Sequence, residues 1–208
     1  MSPPVAKPRG RPRRPDADQQ QVRADIVAAA RRLFLRDGVD AVSMRNLAAE
    51  IGCSPMALYR YFPRKQDILS AIWDVFLDEL FARLAKVDEA SPGLRLERLA
   101  LAYLDYWLAH PQHFQIVFLQ RDLEPGATRQ YLETSGVTAR YALFSATAAE
   151  AIQAGALPGP DAEPIAQGLV CLLHGLALNL TTLPDYGWCD ATTLARLAVR
   201  RYLAGAAG

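Results

Sequence analysis

Apolar side chains along this sequence recur every three or four positions, the spacing of a helix that turns one face to a core. No stretch alternates with the period of two that a half-buried strand would show. Proline and glycine cut the pattern into helix-sized pieces. Val22, Ile26, Ala29, Ala30, Leu33 and Phe34 share one face of a helix expected from about Asp18 to Arg36. Asp37-Gly38 ends it, glycine being at ease in the left-handed conformation that follows a helix. Ser43 is placed to cap a short helix reaching Glu50, and Gly52-Cys53 forms a turn. Ser54 caps the next helix with Pro55 at its first position, where a missing N–H costs nothing; Pro63 stops it after Phe62. A long helix follows from Lys65 to Lys86, its stripe made by Ile68, Leu69, Ile72, Trp73, Phe76, Leu77, Leu80 and Leu84. Further helices are expected at 93–110, 112–120, 127–155 with Gly136 as a candidate break, 161–183 and 190–203. The fold class that follows is all-α.

Composition fits a globular chain with a sizeable core: 208 residues, 51% of them hydrophobic. No apolar run approaches the ~20 residues that span a bilayer, so no membrane partner is expected. The opening MSPPVAKPRGRPRRP has charge and proline without an apolar stretch behind it, unlike a secretory signal. Cys53, Cys171 and Cys189 are odd in number and widely spaced, which argues for a reducing cytoplasm rather than a disulfide framework. The net charge of +1 hides an asymmetry. Residues 1–65 hold 13 Lys/Arg against 6 Asp/Glu (+7), and residues 66–208 hold 10 against 16 (−6). A basic end on an acidic body suits contact with a polyanion, although a basic tail can also serve solubility alone.

The segment SMRNLAAEIGCSPMALYRYF (43–62) sets two short helices either side of a tight glycine turn, the helix-turn-helix layout. Leu47, Ala48, Ile51 and Leu58 supply a small core that fixes the angle between them. The second helix would enter a major groove with Pro55, Met56 and Ala57 toward base edges, beginning at Ser54; their apolar surface suits a thymine methyl. Tyr59, Tyr61 and Lys65 suit phosphate oxygens, as do Ser43 and Arg45 at the start of the first short helix. Upstream, Pro8-Arg9-Gly10-Arg11-Pro12 has the core of an AT-hook, in which Arg9 and Arg11 enter a narrow A·T minor groove. The plainer reading is a polybasic arm attracted to phosphate.

With these residues in view, AARRLFLRDGVDAVSMRNLAAEIGCSPMALYRYFPRKQDIL resembles the N-terminal domain of the tetracycline-repressor (TetR) family. The likeness rests on Gly38 closing the first helix, Ser43 opening the second, Ala48 to Gly52 as the turn, Leu58-Tyr59, Phe62 and Lys65. Tyr61 stands where that family most often has His, and Met56 where a small residue is frequent. AHPQHFQIVFL (109–119) and LVCLLHGLALNL (169–180) resemble later segments found in family members. The resemblance implies an N-terminal three-helix DNA-binding domain and a C-terminal helical bundle that dimerises and binds an effector, in an Ω-shaped homodimer. Its expected divisions are a basic arm over 1–15, a DNA-binding domain over 16–64 and a ligand-binding and dimerisation domain over 65–208. The implied partners are double-stranded operator DNA and a small-molecule effector, with no cofactor. In that family a ligand moves the helix corresponding to 65–86 and so changes the spacing of the recognition helices.

Within the C-terminal region, Trp73, Tyr103, Tyr106, Trp107 and Phe118 are candidates to line an effector pocket, as against plain core. His174, in an otherwise apolar helix, is either a pocket residue or a hydrogen-bonded core or interface residue. Helices 137–155 and 161–183 are expected to form the dimer interface, with Tyr141, Leu143, Phe144, Ala148 and Ile152 on the first. Ile165, Leu169, Leu172, Leu173 and Leu176 serve on the second. His110 and His113 have metal-pair spacing but no Cys or acidic ligand close by, so chance spacing is the better reading and no metal is expected. Cys53 reads as an inert thiol. An enzyme with His174 as base lacks any supporting nucleophile elbow, phosphate loop or metal cluster. A DNA-binding protein without an effector remains the other alternative to a ligand-released repressor.

Overall fold

A computed structural model describes residues 16–38, 41–120 and 125–205. Every regular element among them is helical: α1 Asp16–Asp37, α2 Met44–Glu50, α3 Pro55–Tyr59, α4 Lys65–Leu84, α5 Pro92–Ala109, α6 Pro111–Phe118, α7 Ala127–Thr134, α8 Val137–Gln153, α9 Ala162–Thr182 and α10 Ala191–Gly205. The chain forms two compact units divided between Ile68 and Leu69, inside the continuous helix α4 rather than at its start. The basic arm, with Arg9 and Arg11, lies outside the described residues.

In the first unit, Ile26, Ala29, Ala30, Leu33 and Phe34 of α1 are buried together with Val42, Leu47, Ala48, Leu58, Phe62 and Ile68. Ile51, expected in this core, is only half-buried. Two serine caps hold the short helices. Ser43 Oγ accepts from the Asn46 N–H at 3.1 Å, and Ser54 Oγ accepts from the Ala57 N–H at 3.2 Å. Each satisfies a donor that a helix start leaves unpaired, stabilising it by about 1 kcal/mol. Gly52 adopts φ 69° in the turn between α2 and α3, a left-handed conformation that a residue with a Cβ rarely takes. Arg36 reaches Glu50 at 3.2 Å and so links the ends of α1 and α2. Helix α3 ends at Tyr59, earlier than the expected Phe62. The chain continues as a turn in which the Leu58 carbonyl accepts from both Tyr61 and Phe62. Pro63 disfavours helical geometry in the residue before it, which unwinds this end.

The second unit is built around α5. Leu96, Leu99, Ala100, Tyr103, Leu104, Tyr106 and Trp107 are all buried, and α8, α9 and α10 lie against this helix. The expected helix over 127–155 is two helices, with Gly136 between α7 and α8 at φ 68°. Tyr141, Phe144 and Ala148, expected at an interface between subunits, serve this chain's own core instead. Phe144 and Ala148 are fully buried, and the Tyr141 hydroxyl meets that of Tyr103 at 2.9 Å. Both sides of α8 carry apolar residues, and the bundle takes the side bearing the larger aromatic rings. Ile165, Leu169 and Leu173 of α9 are likewise buried, while Leu172 and Leu176 are half-buried. Leu178 and Leu183, at 40% and 50% exposure, mark an uncovered apolar face toward the end of α9.

Helices α9 and α10 meet closely at Gly168. The Tyr202 hydroxyl donates to the Ile165 carbonyl at 2.9 Å, and its ring lies across Gly168. A Cβ there would overlap the hydroxyl and stand 2.9 Å from Cζ. Gly168→Ala is therefore expected to destabilise the protein by about 1–2 kcal/mol in urea unfolding. In a Tyr202→Ala background the overlap is gone, and the same change should stabilise by about 0.5–1 kcal/mol, the helical preference of alanine over glycine. The same sign in both backgrounds would refute the steric account.

Candidate functional site

The exposed side of the first unit is set by what its other side buries. Leu58, in the middle of α3, is fully buried beside Leu47 and Ala48, so the opposite side of α3 faces outward. Met56 is 75% exposed and Tyr59 47%, large apolar surfaces held on a short capped helix. Ser54, Pro55, Arg45, Arg60 and Lys65 are exposed around them; Ser43, Ala57 and Tyr61 are half-buried. The two capping serines use their oxygens as acceptors within the chain, which leaves each hydroxyl proton to donate to a phosphate. Arg64 pairs with Asp67 at 2.6 Å at the start of α4. Such a surface offers methyl and ring contacts to base edges and cations to the flanking phosphates.

One residue that supports this surface is not marked by any motif. Arg23, on α1, donates to the Tyr61 carbonyl, and its guanidinium lies over the Phe62 ring, 4.1 Å from the centroid. It fastens the turn that carries Tyr59, Tyr61 and Lys65 onto α1. The only sequence signal for this is a basic residue flanking the apolar stripe between Val22 and Ile26, a feature common on solvated helix faces.

The six candidate ligand residues divide. Trp73 and Tyr106 are buried and committed to backbone. The Trp73 indole donates to the Ile116 carbonyl at 2.7 Å, and the Tyr106 hydroxyl donates to the Phe76 carbonyl at 2.9 Å. Tyr103, Trp107, Phe118 and His174 converge from α5, α6 and α9. Tyr103 Oη lies 2.5 Å from His174 Nε2, and the Phe118 ring lies 4.5 Å from the imidazole and 5.2 Å from Trp107. Tyr141, Phe144 and Phe114 complete this cluster. Burial lowers the His174 imidazole to about 4 from its ordinary 6.5, so it is neutral at pH 7. Burial also raises the Tyr103 phenol well above its ordinary value and pushes Tyr141 up to about 12. The His110 and His113 rings stack on each other at 4.7 Å, and His113 Nδ1 meets the Tyr106 hydroxyl at 3.2 Å. Among the described residues no group of three side chains is arranged to hold a metal ion.

Comparison with known proteins gives two matching family models. Residues 26–72 match "Bacterial regulatory proteins, tetR family", and residues 96–183 match "Tetracyclin repressor-like, C-terminal domain". The chain is 27% identical over 186 residues to the HTH-type transcriptional regulator TtgR of Pseudomonas putida, covering 83% of this chain and 86% of that protein. It is 29% identical over 104 residues to the HTH-type transcriptional repressor KstR2 of Mycobacterium tuberculosis, 49% of this chain and 51% of that one. A solved structure of a protein of unknown function from Rhodococcus sp. RHA1 superposes with a TM-score of 0.73 at 27% identity, over 88% of this chain and 93% of that one.

Two expectations follow from the geometry. Arg23→Ala should weaken DNA binding roughly five-fold, the ~1 kcal/mol scale of a cation–π contact with its hydrogen bond. Because Arg23 acts through Tyr61 and Phe62, the dependence of affinity on salt should stay as it is. A slope reduced by about one unit would make Arg23 a phosphate contact instead. The second expectation concerns His174. Its folded-state pKa lies below the unfolded one, so the unfolded chain binds the proton first. The stability due to the neutral imidazole is full above about pH 6.5 and is lost as pH falls toward 4, by an amount on the order of 3 kcal/mol. Urea unfolding across that window should show a shallower pH dependence for His174→Gln. Identical slopes in the two proteins would rule out a neutral, buried His174.

Proposed function

Since the chain belongs to the tetR family of bacterial regulatory proteins and is a DNA-binding transcriptional regulator, we propose that it represses transcription as a homodimer on a palindromic operator. A small apolar or amphipathic molecule, bound within the second unit, would release it. The observation that carries this reading is the exposed Met56–Tyr59 surface of α3, whose other side buries Leu58, with Arg45, Arg60 and Lys65 exposed in the same unit. A helix that exposes so much apolar surface beside several cations suits the thymine methyls and phosphates of a major groove.

The dimer is supported by α9. Against the expectation that no run would be so apolar, this helix is by length and composition apolar enough to cross a membrane, yet only 28% of its most apolar window is buried within the chain. A second copy lying against that face covers it, and a twofold pair matches a twofold operator. An operator-binding protein works where the DNA is, in the cytoplasm. Repression accords with the similarity to the transcriptional repressor KstR2, and release by a ligand accords with the tetracycline-repressor-like match of residues 96–183. Linkage then requires that operator and effector weaken each other's binding by one common factor.

The test is binding to a palindrome selected from random duplexes. Lys65→Ala should lower affinity for all sequences alike and reduce the log–log salt slope by about one unit for each phosphate that the lysine no longer meets. Met56→Ala should leave that slope unchanged and relax the preference for thymine at the positions under α3. Selection that returns no palindrome, or two variants indistinguishable from the parent, would refute the assignment of α3 and Lys65.

A further inference from the structure

We propose that the cluster around Tyr103, Tyr141 and His174 is the effector site, and that its effector is a neutral, flat aromatic molecule bearing a hydroxyl group. The proposal rests on the regulator function proposed for the chain and specifies the chemistry of its ligand. Three features of the cluster carry it.

The first is the hydrogen-bond chain. Tyr141 Oη meets Tyr103 Oη at 2.9 Å, and Tyr103 Oη meets His174 Nε2 at 2.5 Å. If Tyr141 donates to Tyr103 and Tyr103 to Nε2, the Tyr141 oxygen remains an acceptor and the imidazole proton sits on Nδ1 as a donor. If every bond runs the other way, Nδ1 is the acceptor and the Tyr141 hydroxyl the donor. In either sense the chain ends in one donor and one acceptor. A hydroxyl both donates and accepts, so it meets either end in either sense.

The second is an unused donor. Trp107 is fully buried, and its indole N–H, near the Tyr103 hydroxyl, meets no acceptor in hydrogen-bonding geometry. A buried donor left unmet costs about 1–3 kcal/mol, which an oxygen from a bound molecule would recover.

The third is the surround. Phe114, Phe118 and Phe144 present rings to Tyr103, Trp107 and His174 at centroid separations from 4.5 to 6.3 Å. None of these side chains carries a charge at neutral pH, His174 included, since burial keeps it unprotonated. A carboxylate or ammonium placed among them would lose its water without gaining a counter-charge. Tyr103, Trp107, Phe114 and Phe144 are buried, while Phe118, Tyr141 and His174 keep a partly exposed edge. The cluster is thus closed on the α5 side and reaches solvent only at the part-exposed edges of Phe118, Tyr141 and His174.

The experiment uses the full-length protein and four probes sharing one ring system: naphthol, methoxynaphthalene, naphthoate and naphthylmethylammonium. Calorimetry at neutral pH should show naphthol binding once per chain. Naphthoate and the ammonium should bind at least ten-fold more weakly. Methoxynaphthalene, which accepts but cannot donate, should bind about five-fold more weakly than naphthol, the ~1 kcal/mol scale of one hydrogen bond. Tyr103→Phe keeps the ring and breaks the chain at its centre, so it should abolish the preference for naphthol over methoxynaphthalene. Tyr141→Phe, at the accessible edge, should do the same if the Tyr103 variant does not fold. No naphthol binding, equal binding of the charged probes, or an undiminished preference in the folded variants would overturn the proposal. Operator affinity measured with and without naphthol separates the two readings. A ten-fold loss supports both. Naphthol bound with operator affinity unchanged would overturn the cluster as the effector site, while operator binding by α3 would stand on its own measurements.

Discussion

The second unit depends on burying α5. Seven of its residues, from Leu96 to Trp107, are enclosed by neighbouring helices, and the apolar surface they bury contributes ~25 cal/mol per Å2. That burial also decides where polar chemistry can occur. Tyr103, Tyr106 and Trp107 sit in the last two turns of α5, and each brings a polar atom into a place without water. The Tyr106 hydroxyl is met by a backbone carbonyl of α4, and that of Tyr103 by Tyr141 and His174. The Trp107 N–H is left over. One helix thereby ties its neighbours together through hydrogen bonds that exist because an apolar core excludes every alternative partner.

Nearly all the helices were legible from periodicity and punctuation, because caps and breakers act locally. Ser43, Ser54, Pro55, Gly52 and Gly136 do in the structure what their residue types favour. The exposure of Met56, Tyr59 and Lys65 was legible too, since the buried Leu58 fixes the side of α3 that remains. Tyr141 and Arg23 were not. The apolar residues of α8 lie on more than one side, and a stripe alone does not say which side meets its own chain and which meets another. Arg23 works through a bond to a backbone carbonyl 38 residues away, which leaves no mark on local spacing. Trp73 and Tyr106 were candidates for a pocket as against plain core, and their hydrogen bonds to the Ile116 and Phe76 carbonyls left no mark on local spacing, those carbonyls being 43 and 30 residues away.

The two partially covered regions of the chain differ in kind, and the difference is chemical. The uncovered face of α9 is largely aliphatic, with Leu178 and Leu183 standing out beside the exposed Asn179. It suits a broad surface of the same character, as a second copy provides. The Tyr103–His174 cluster is aromatic and directional, with donors and acceptors fixed by the surrounding rings. Such a site discriminates by the penalty for leaving its polar atoms unmet, which exceeds what an extra methylene in a greasy pocket can supply.

How a molecule in that cluster could influence α4 follows from the bonds α4 makes within its own unit. Trp73 donates to the Ile116 carbonyl of α6, Tyr131 of α7 donates to Asp74, Tyr106 of α5 donates to the Phe76 carbonyl, and Arg140 of α8 pairs with Asp78 at 2.6 Å. Four helices therefore grip one short stretch, residues 73–78. Burial raises the Asp74 carboxyl above its ordinary value, and the hydrogen bond from Tyr131 and the charge of Arg140, contacts that would break if α4 moved, partly offset that rise. A ligand need not push α4 the length of the helix. It need only favour, by about 1.4 kcal/mol for each ten-fold change in operator affinity, an arrangement of α5 and α6 in which this grip is set differently. Tyr106 and Trp107 are neighbours on α5, one bonded to α4 and the other in the aromatic cluster, their rings 4.9 Å apart. Displacement of the Trp107 ring by a bound molecule acts directly on the ring whose hydroxyl holds the Phe76 carbonyl. A second and more direct contact joins the cluster to α4, the Tyr141 ring lying 5.2 Å from that of Phe81.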